Sequence, residues 1–423
     1  MPAPAAAQDQ ETWNAHFQST YVRQEKPAFH SPYEGPNSLT GAQERSYSFT
    51  ATAALGLRVG PHTEAYFDAE AAQGVPLSGL AGFAGFPNGE LAKTSGANLT
   101  VYTARAFLRH TIELGGEAVK LESDSNQLAT VYGSRRVVIT AGIFSGLDLF
   151  DANSYAHDPR TQFQNWALMT HAAYDYAADA RGYTHGVAIE YFDAGWSVRA
   201  ARLAVPREPN GLALDNKLLD HYGDQVEFAH DYSVAGQGGT ARLLAFRTRA
   251  VLARYADALA VADAAGGVPP DLASVRHGEQ VKYGLGVAIE HRLANDIGLF
   301  ARTLRADGRT ETDAFTEADG SVSLGVAITG ERWHRGQDTF GLAFAGSALS
   351  SGHREYLARG GTTVFLGDGA LNYRPERIAE AYYRAEVAKG TSVSLDYQRV
   401  VNPGCNADRG PVSVYGVRLH WEI

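Results

Sequence analysis

From Thr12 to Ile423 the chain repeats one pattern: about ten residues of alternating apolar and polar side chains, then a break. The last stretch is the clearest. Tyr415, Val417, Leu419, Trp421 and Ile423 are apolar, and Gly416, Arg418, His420 and Glu422 stand between them. Period two puts the two sets on opposite faces of a strand. The alternation runs to the final residue, where chains ordinarily fray. A closed barrel would keep such a strand paired, because closure leaves no edge.

The same two-faced pattern occurs at Thr12–Arg23, Tyr47–Val59, Glu64–Ala71, Tyr102–Glu113, Arg136–Phe144 and Tyr183–Phe192. It returns at Trp196–Ala204, Asp224–Tyr232, Thr240–Thr248, Val281–His291 and Ile297–Arg305. Ser321–Gly330, Asp338–Gly346, Arg377–Ala388, Thr391–Val400 and the terminal stretch complete the set. Sixteen segments of about ten residues match tilted strands that cross hydrocarbon. The expected fold is all-β, a transmembrane antiparallel barrel of sixteen strands, with eighteen as the alternative.

Composition agrees. In 423 residues no Pro-rich, Ser-rich or single-charge linker separates domains, so residues 12–423 read as one barrel domain behind a short periplasmic stub, 1–11. No apolar run reaches the roughly 18 residues a membrane-spanning helix needs. The 45 glycines and 21 tyrosines suit strands and turns. A net charge of −10 argues against nucleic acid as a partner. The single cysteine, Cys405, rules out an internal disulfide or a thiolate cluster. Met1-Pro-Ala-Pro-Ala-Ala-Ala-Gln has neither a basic nor an apolar region, so no signal peptide is expected within these residues.

Connection lengths orient the strands. In barrels of this kind the termini and short turns are periplasmic and the long loops face outward. Counting back from the last strand puts the links at 389–390, 336–337, 295–296 and 194–195 on the periplasmic side. The long links 206–223, 251–280, 307–320, 349–376 and 401–410 fall outside. For the first strand to rise from the periplasm, Asn165–Ala178 cannot cross. It belongs to one long outward loop, about 145–182, expected to fold into the barrel mouth because it carries Phe150, Tyr155, Phe163 and Trp166. The link 115–134 fits poorly, being long yet periplasmic.

If the apolar faces meet lipid, the ionisable residues between them point into a water-filled lumen, since charge at mid-bilayer costs a few kcal/mol. Asp68, Glu70, Arg105, Arg109, Glu380 and Arg384 are therefore the candidate lumen residues. Asp158, Arg160 and Trp166 are the candidates on the inward loop, whose acids, amides and aromatic rings suit sugar hydroxyls and CH faces. The alternative for each strand candidate is a solvated face that merely keeps the lumen wet, and for the loop candidates a folded plug whose polar groups satisfy each other. No nucleophile elbow, zinc-protease motif, P-loop or dinucleotide fingerprint is present, so no catalysis is expected. No cofactor is expected either. The Asp/Asn-rich stretch 148–158 lacks EF-hand spacing, which leaves a structural Ca²⁺ as the one open metal reading.

Several longer motifs are familiar. Gln73-Gly-Val-Pro-Leu-Ser with Asn88-Gly-Glu, the run Leu147–Trp166, and Arg181-Gly-Tyr-Thr-His-Gly resemble the carbohydrate-selective porin (OprB) family. So do Tyr356-Leu-Ala-Arg-Gly-Gly, Gly367-Asp-Gly-Ala-Leu-Asn-Tyr and Asn402-Pro-Gly-Cys-Asn-Ala-Asp-Arg-Gly-Pro. The chain departs from the family in Cys405, where an aromatic is expected, and in ending on Ile423 rather than Phe. The resemblance implies a Gram-negative outer-membrane channel that admits glucose or related sugars by diffusion, as a monomer or homotrimer among outer-membrane lipids. Porins for organic acids, barrel hydrolases and soluble lectins are the competing classes.

Overall fold

A computed structural model describes residues 10–423, so most of the expected N-terminal stub lies outside the described residues. Sixteen antiparallel strands close into a barrel, each paired with its neighbours in chain order and β1 with β16. The first eight are β1 (Trp13–Lys26), β2 (Glu44–Gly60), β3 (Thr63–Val75), β4 (Thr100–Leu121), β5 (Thr130–Phe144), β6 (Thr184–Asp193), β7 (Trp196–Leu203) and β8 (Tyr222–Val234). The rest are β9 (Gln237–Val251), β10 (Glu279–Ala294), β11 (Ile297–Ala306), β12 (Gly320–Gly330), β13 (Arg335–Ala348), β14 (Glu376–Ala388), β15 (Thr391–Val401) and β16 (Val412–Glu422). Among the described residues the strand number is therefore sixteen, and the segment 165–178 does not cross.

Alternation decides which face is which. Along β10, Val281, Tyr283, Leu285, Val287 and Ile289 point outward and are 40–56% exposed, while Lys282, Ala288 and Glu290 are buried inside. A greasy outer face and a polar inner one is the arrangement lipid demands. The closing seam obeys it too. Phe17 and Ile423 exchange backbone hydrogen bonds of 3.1 and 2.9 Å, and Phe17 packs against Trp421 with ring centroids 5.4 Å apart.

The misfit at 115–134 resolves as a hairpin. β4 and β5 run past the barrel rim, bend at bulges around Gly115, and meet at a turn over residues 122–129. The turn folds back beneath the lumen instead of hanging into solvent. Asn14 donates to the Gln127 carbonyl at 2.9 Å, and the Leu128 N–H donates to the Tyr66 hydroxyl at 3.1 Å.

Candidate functional site

The loop joining β5 to β6 enters the barrel and leans on one half of its wall. A capping box at Ser145 and Asp148 starts its descent. Glu227 on β8 accepts the Asp151 N–H at 2.7 Å, and Glu290 on β10 accepts the Ser154 N–H at 2.7 Å. Glu380 on β14 accepts the Asn165 N–H at 3.0 Å and also the Gln164 N–H. Arg302 on β11 pairs with Asp151 at 3.0 Å and donates to the carbonyls of Leu168 and Ala156. Arg418 on β16 donates to those of Pro159 and Gln162. A buried loop carries backbone groups that water cannot reach, and the inward ionic residues of β8–β16 satisfy them.

Apolar contacts complete the seat. Phe163 packs edge-on against Tyr382, with centroids 4.9 Å apart, and Trp166 stacks on Phe315 at 5.6 Å. Gly298 on β11 lies directly under Tyr155, where a Cβ would sit 1.9 Å from a ring carbon, so only glycine lets the ring lie down there.

With that half filled, the open lumen runs along β1–β5. Two cavities adjoin there, an upper one of about 350 Å³ and a lower one, toward the β4–β5 turn, of about 420 Å³. Every strand residue lining either one comes from β1–β5. Gln18, Arg105, Asp148, His157 and Arg160 line both and so mark the constriction between them.

Two interlocked ion-pair sets build that constriction. Arg105 on β4 grips Asp148 through Nε and Nη2 at 2.8 and 2.6 Å and reaches Asp68 on β3 at 3.2 Å. Arg160 on the loop binds Glu70 on β3 at 2.9 Å and Glu90 at 3.1 Å. Glu70 also accepts from the hydroxyls of Tyr102 and Tyr183, and the Tyr183 ring lies 5.4 Å from the Arg105 guanidinium carbon. Asp158 accepts the Arg160 N–H at 3.0 Å and fixes the turn that presents Arg160.

Burial alone would raise the Asp148 carboxyl, but the Arg105 guanidinium beside it holds it below the usual carboxylate range. Burial likewise works against Asp158, and Arg160 with its backbone N–H keeps it low. Burial lowers His157, so this imidazole is neutral at pH 7. Four carboxylates thus face two guanidiniums, and the ring carries excess negative charge.

The sequence matches the family model for carbohydrate-selective porins, the OprB family, over residues 37–423. The chain belongs to this family. Among solved structures, the high-pH structure of Pseudomonas putida OprB is similar over 97% of this chain and 94% of that one, with 14% identity and a TM-score of 0.71. The outer membrane channel DcaP of Acinetobacter baumannii is similar over 97% of both chains, at 8% identity and a TM-score of 0.53. At these identities the likeness is one of fold. A comparison with curated proteins gives no match.

In this carbohydrate-selective porin the expected site residues divide. Arg105, Asp68, Glu70, Arg160 and Asp158 come together at or beside the constriction, and Trp166 walls the upper cavity while donating its indole N–H to the Asn88 carbonyl. Arg109 lines the lower cavity, its guanidinium over the Tyr66 ring. Glu380 does not face the open lumen: the inward loop covers it completely and uses it as an anchor. Arg384 lies near the β14–β15 turn, donating to Ser392 and the Gln337 carbonyl, and lines neither cavity. Both face inward as alternation requires, but alternation cannot say which inward residues the loop will cover.

Sequence reasoning missed Gln18, Asp148 and His157 as constriction residues, the last two within the Leu147–Trp166 run, and Glu90 beside them. Gln18 sits on the polar face of the first alternating segment, and Glu90 lies in the Asn88-Gly-Glu motif, so both had a signal. No cluster of three or more metal-ligating side chains occurs among the described residues. The acids of 148–158 are engaged with Arg105, Arg302 and backbone N–H groups.

Proposed function

We propose that this porin passes small, uncharged carbohydrates of glucose type by diffusion across the outer membrane of a Gram-negative bacterium. The observation that carries the reading is the constriction. Its guanidinium N–H groups donate, its carboxylates accept, and the rings of Tyr102 and Tyr183 stand beside them. A sugar hydroxyl both donates and accepts, and its CH face suits an aromatic ring, so a polyhydroxyl solute can exchange its water for these groups at little cost. Cavities of this size fall in the about 300–1,000 Å³ range of small-ligand pockets. The excess carboxylates oppose organic acids, which weakens the alternative of an organic-acid porin.

Single-channel conductance in a planar bilayer, with glucose titrated into the bath, tests the reading. Saturable reduction of the current by glucose, and none by a dicarboxylate, is the expected result. Current indifferent to every sugar but blocked by dicarboxylates would overturn it.

A further inference from the structure

The apolar outer wall ends in a basic rim on the side where the long loops leave. Alternation at that end of β1, β14 and β15 puts Arg23, Arg377 and Arg399 on the face that meets lipid. Arg45 on β2, Arg247 on β9 and Arg305 on β11 face the same way. None of the six lines the upper or the lower cavity.

Acids do not balance this rim. The outward acids at these strand ends are Glu25, Asp224 and Glu279, and each is already taken. Glu25 pairs with Arg45 at 3.4 Å, Asp224 with Arg202 at 2.8 Å, and Glu279 with Arg249. Among the described residues Arg23, Arg247, Arg305, Arg377 and Arg399 make no ion pair. In a chain whose net charge is −10, the rim is a local reversal of sign.

Tyrosines set the depth of the rim. Tyr21 and Tyr47 face outward with ring centroids 6.5 Å apart, as do Tyr397 and Tyr415 at 5.2 Å. Tyr283 on β10 stands opposite Arg247 in register. Tyrosine collects where hydrocarbon meets headgroups. Arg23, Arg45 and Arg399 come two residues beyond Tyr21, Tyr47 and Tyr397. At strand spacing that is about 7 Å further out, among the headgroups. At the periplasmic end Trp13, Trp196 and Trp421 are exposed on the same outer face instead.

We propose that this rim, in two arcs over β14–β2 and β7–β11, binds phosphate-bearing lipid headgroups of the outer leaflet. A guanidinium fork donates two parallel N–H bonds to a phosphate. A second copy of the chain would bring an equally positive rim, so it is the poorer complement. The surface depends on the barrel's place in the membrane and not on the solute that passes, so its failure leaves the sugar reading untouched.

Native mass spectrometry of the full-length porin, released in detergent, tests it. The probes are lipid A carrying two phosphates and the same lipid stripped of phosphate. Wild type is expected to retain the first and lose most of the second. Arg23→Gln, Arg377→Gln and Arg399→Gln together remove three free charges. At about fivefold per arginine, affinity for the phosphorylated lipid should fall on the order of a hundredfold. Heat-modifiable gel mobility checks that the barrel is folded. Arg135→Gln, at an exposed arginine near the periplasmic end of β5, should leave binding unchanged. A folded triple variant that holds the phosphorylated lipid as tightly as wild type overturns the surface. So does a wild type that holds both lipids equally. An oligomer that separates in the triple variant with no change in lipid retention also overturns it, and marks the rim as a contact between copies.

Discussion

Replacing Arg105 separates two things the constriction does, setting charge and presenting donors. Arg105→Ala removes one of two positive charges from a ring with four carboxylates. A permeating ion about 5 Å away then feels an extra unit of negative charge, worth about 0.8 kcal/mol at the dielectric of water. That corresponds to roughly a fourfold gain in occupancy for a cation and a fourfold loss for an anion, so roughly sixteenfold in their ratio, and more where the solute is partly dehydrated. The reversal potential under a KCl gradient near 0.1 M should therefore move toward the potassium potential. Near 1 M, where the screening length falls to about 3 Å, the shift should shrink.

Arg105→Lys keeps the charge but loses the planar fork that grips Asp148 with two nitrogens. Its reversal potential should stay at the wild-type value while glucose block weakens. An Arg105→Ala channel with wild-type reversal potential at low salt would refute the idea that this ring controls permeation. A lysine variant blocked as well as wild type would show that charge alone matters.

Three further perturbations test the supports. Arg302→Ala leaves Asp151 buried without its cation; breaking such a pair costs about 3–5 kcal/mol. The 145–183 loop should then become sensitive to protease in a barrel that still resists heat. Glu380→Gln replaces one of the two oxygens that accept the Gln164 and Asn165 N–H groups, so one buried bond worth about 0.5–1.5 kcal/mol is lost. Noisier current and higher mean conductance are expected in bilayer recordings. Lys93, in the loop after β3, is lowered to about 8 by burial, against the opposing pull of Asp175, Glu317 and Asp313. As pH rises through 8 the upper cavity it lines loses a positive charge, so cation selectivity should increase between pH 7 and 9. Lys93→Met should remove that step. The sign for stability follows: the unfolded chain holds this proton up to its ordinary 10.5, so Lys93 makes stability rise with pH between 8 and 10.5.

The barrel was legible because lipid outside and water inside impose one rule on every strand. Alternation therefore located Val281–His291 or Tyr415–Ile423 without tertiary information. The descent of the 145–183 loop was legible for a related reason, since Phe163 and Trp166 must be buried somewhere. Partnerships were not. Asp148 meets Arg105, and Glu90 meets Arg160, because closure and loop folding bring distant segments together, and no local pattern encodes such meetings. Glu380 shows the same limit in reverse: its inward orientation was readable, its use as a backbone anchor was not. The β4–β5 hairpin looked wrong for its side because turn length was the only clue, and length does not reveal a turn that folds upward.

The seating of the inward loop divides the wall into two territories with different freedom to change. On β8–β16 the inward residues form a scaffold, where a substitution such as one at Arg302 or Gly298 endangers the loop's seat. On β1–β5 they are the surface the solute meets, and little else depends on many of them. Drift in the second territory can retune what passes while the first keeps the architecture constant. An engineer seeking a different cargo should therefore mutate Gln18 before anything on the opposite wall.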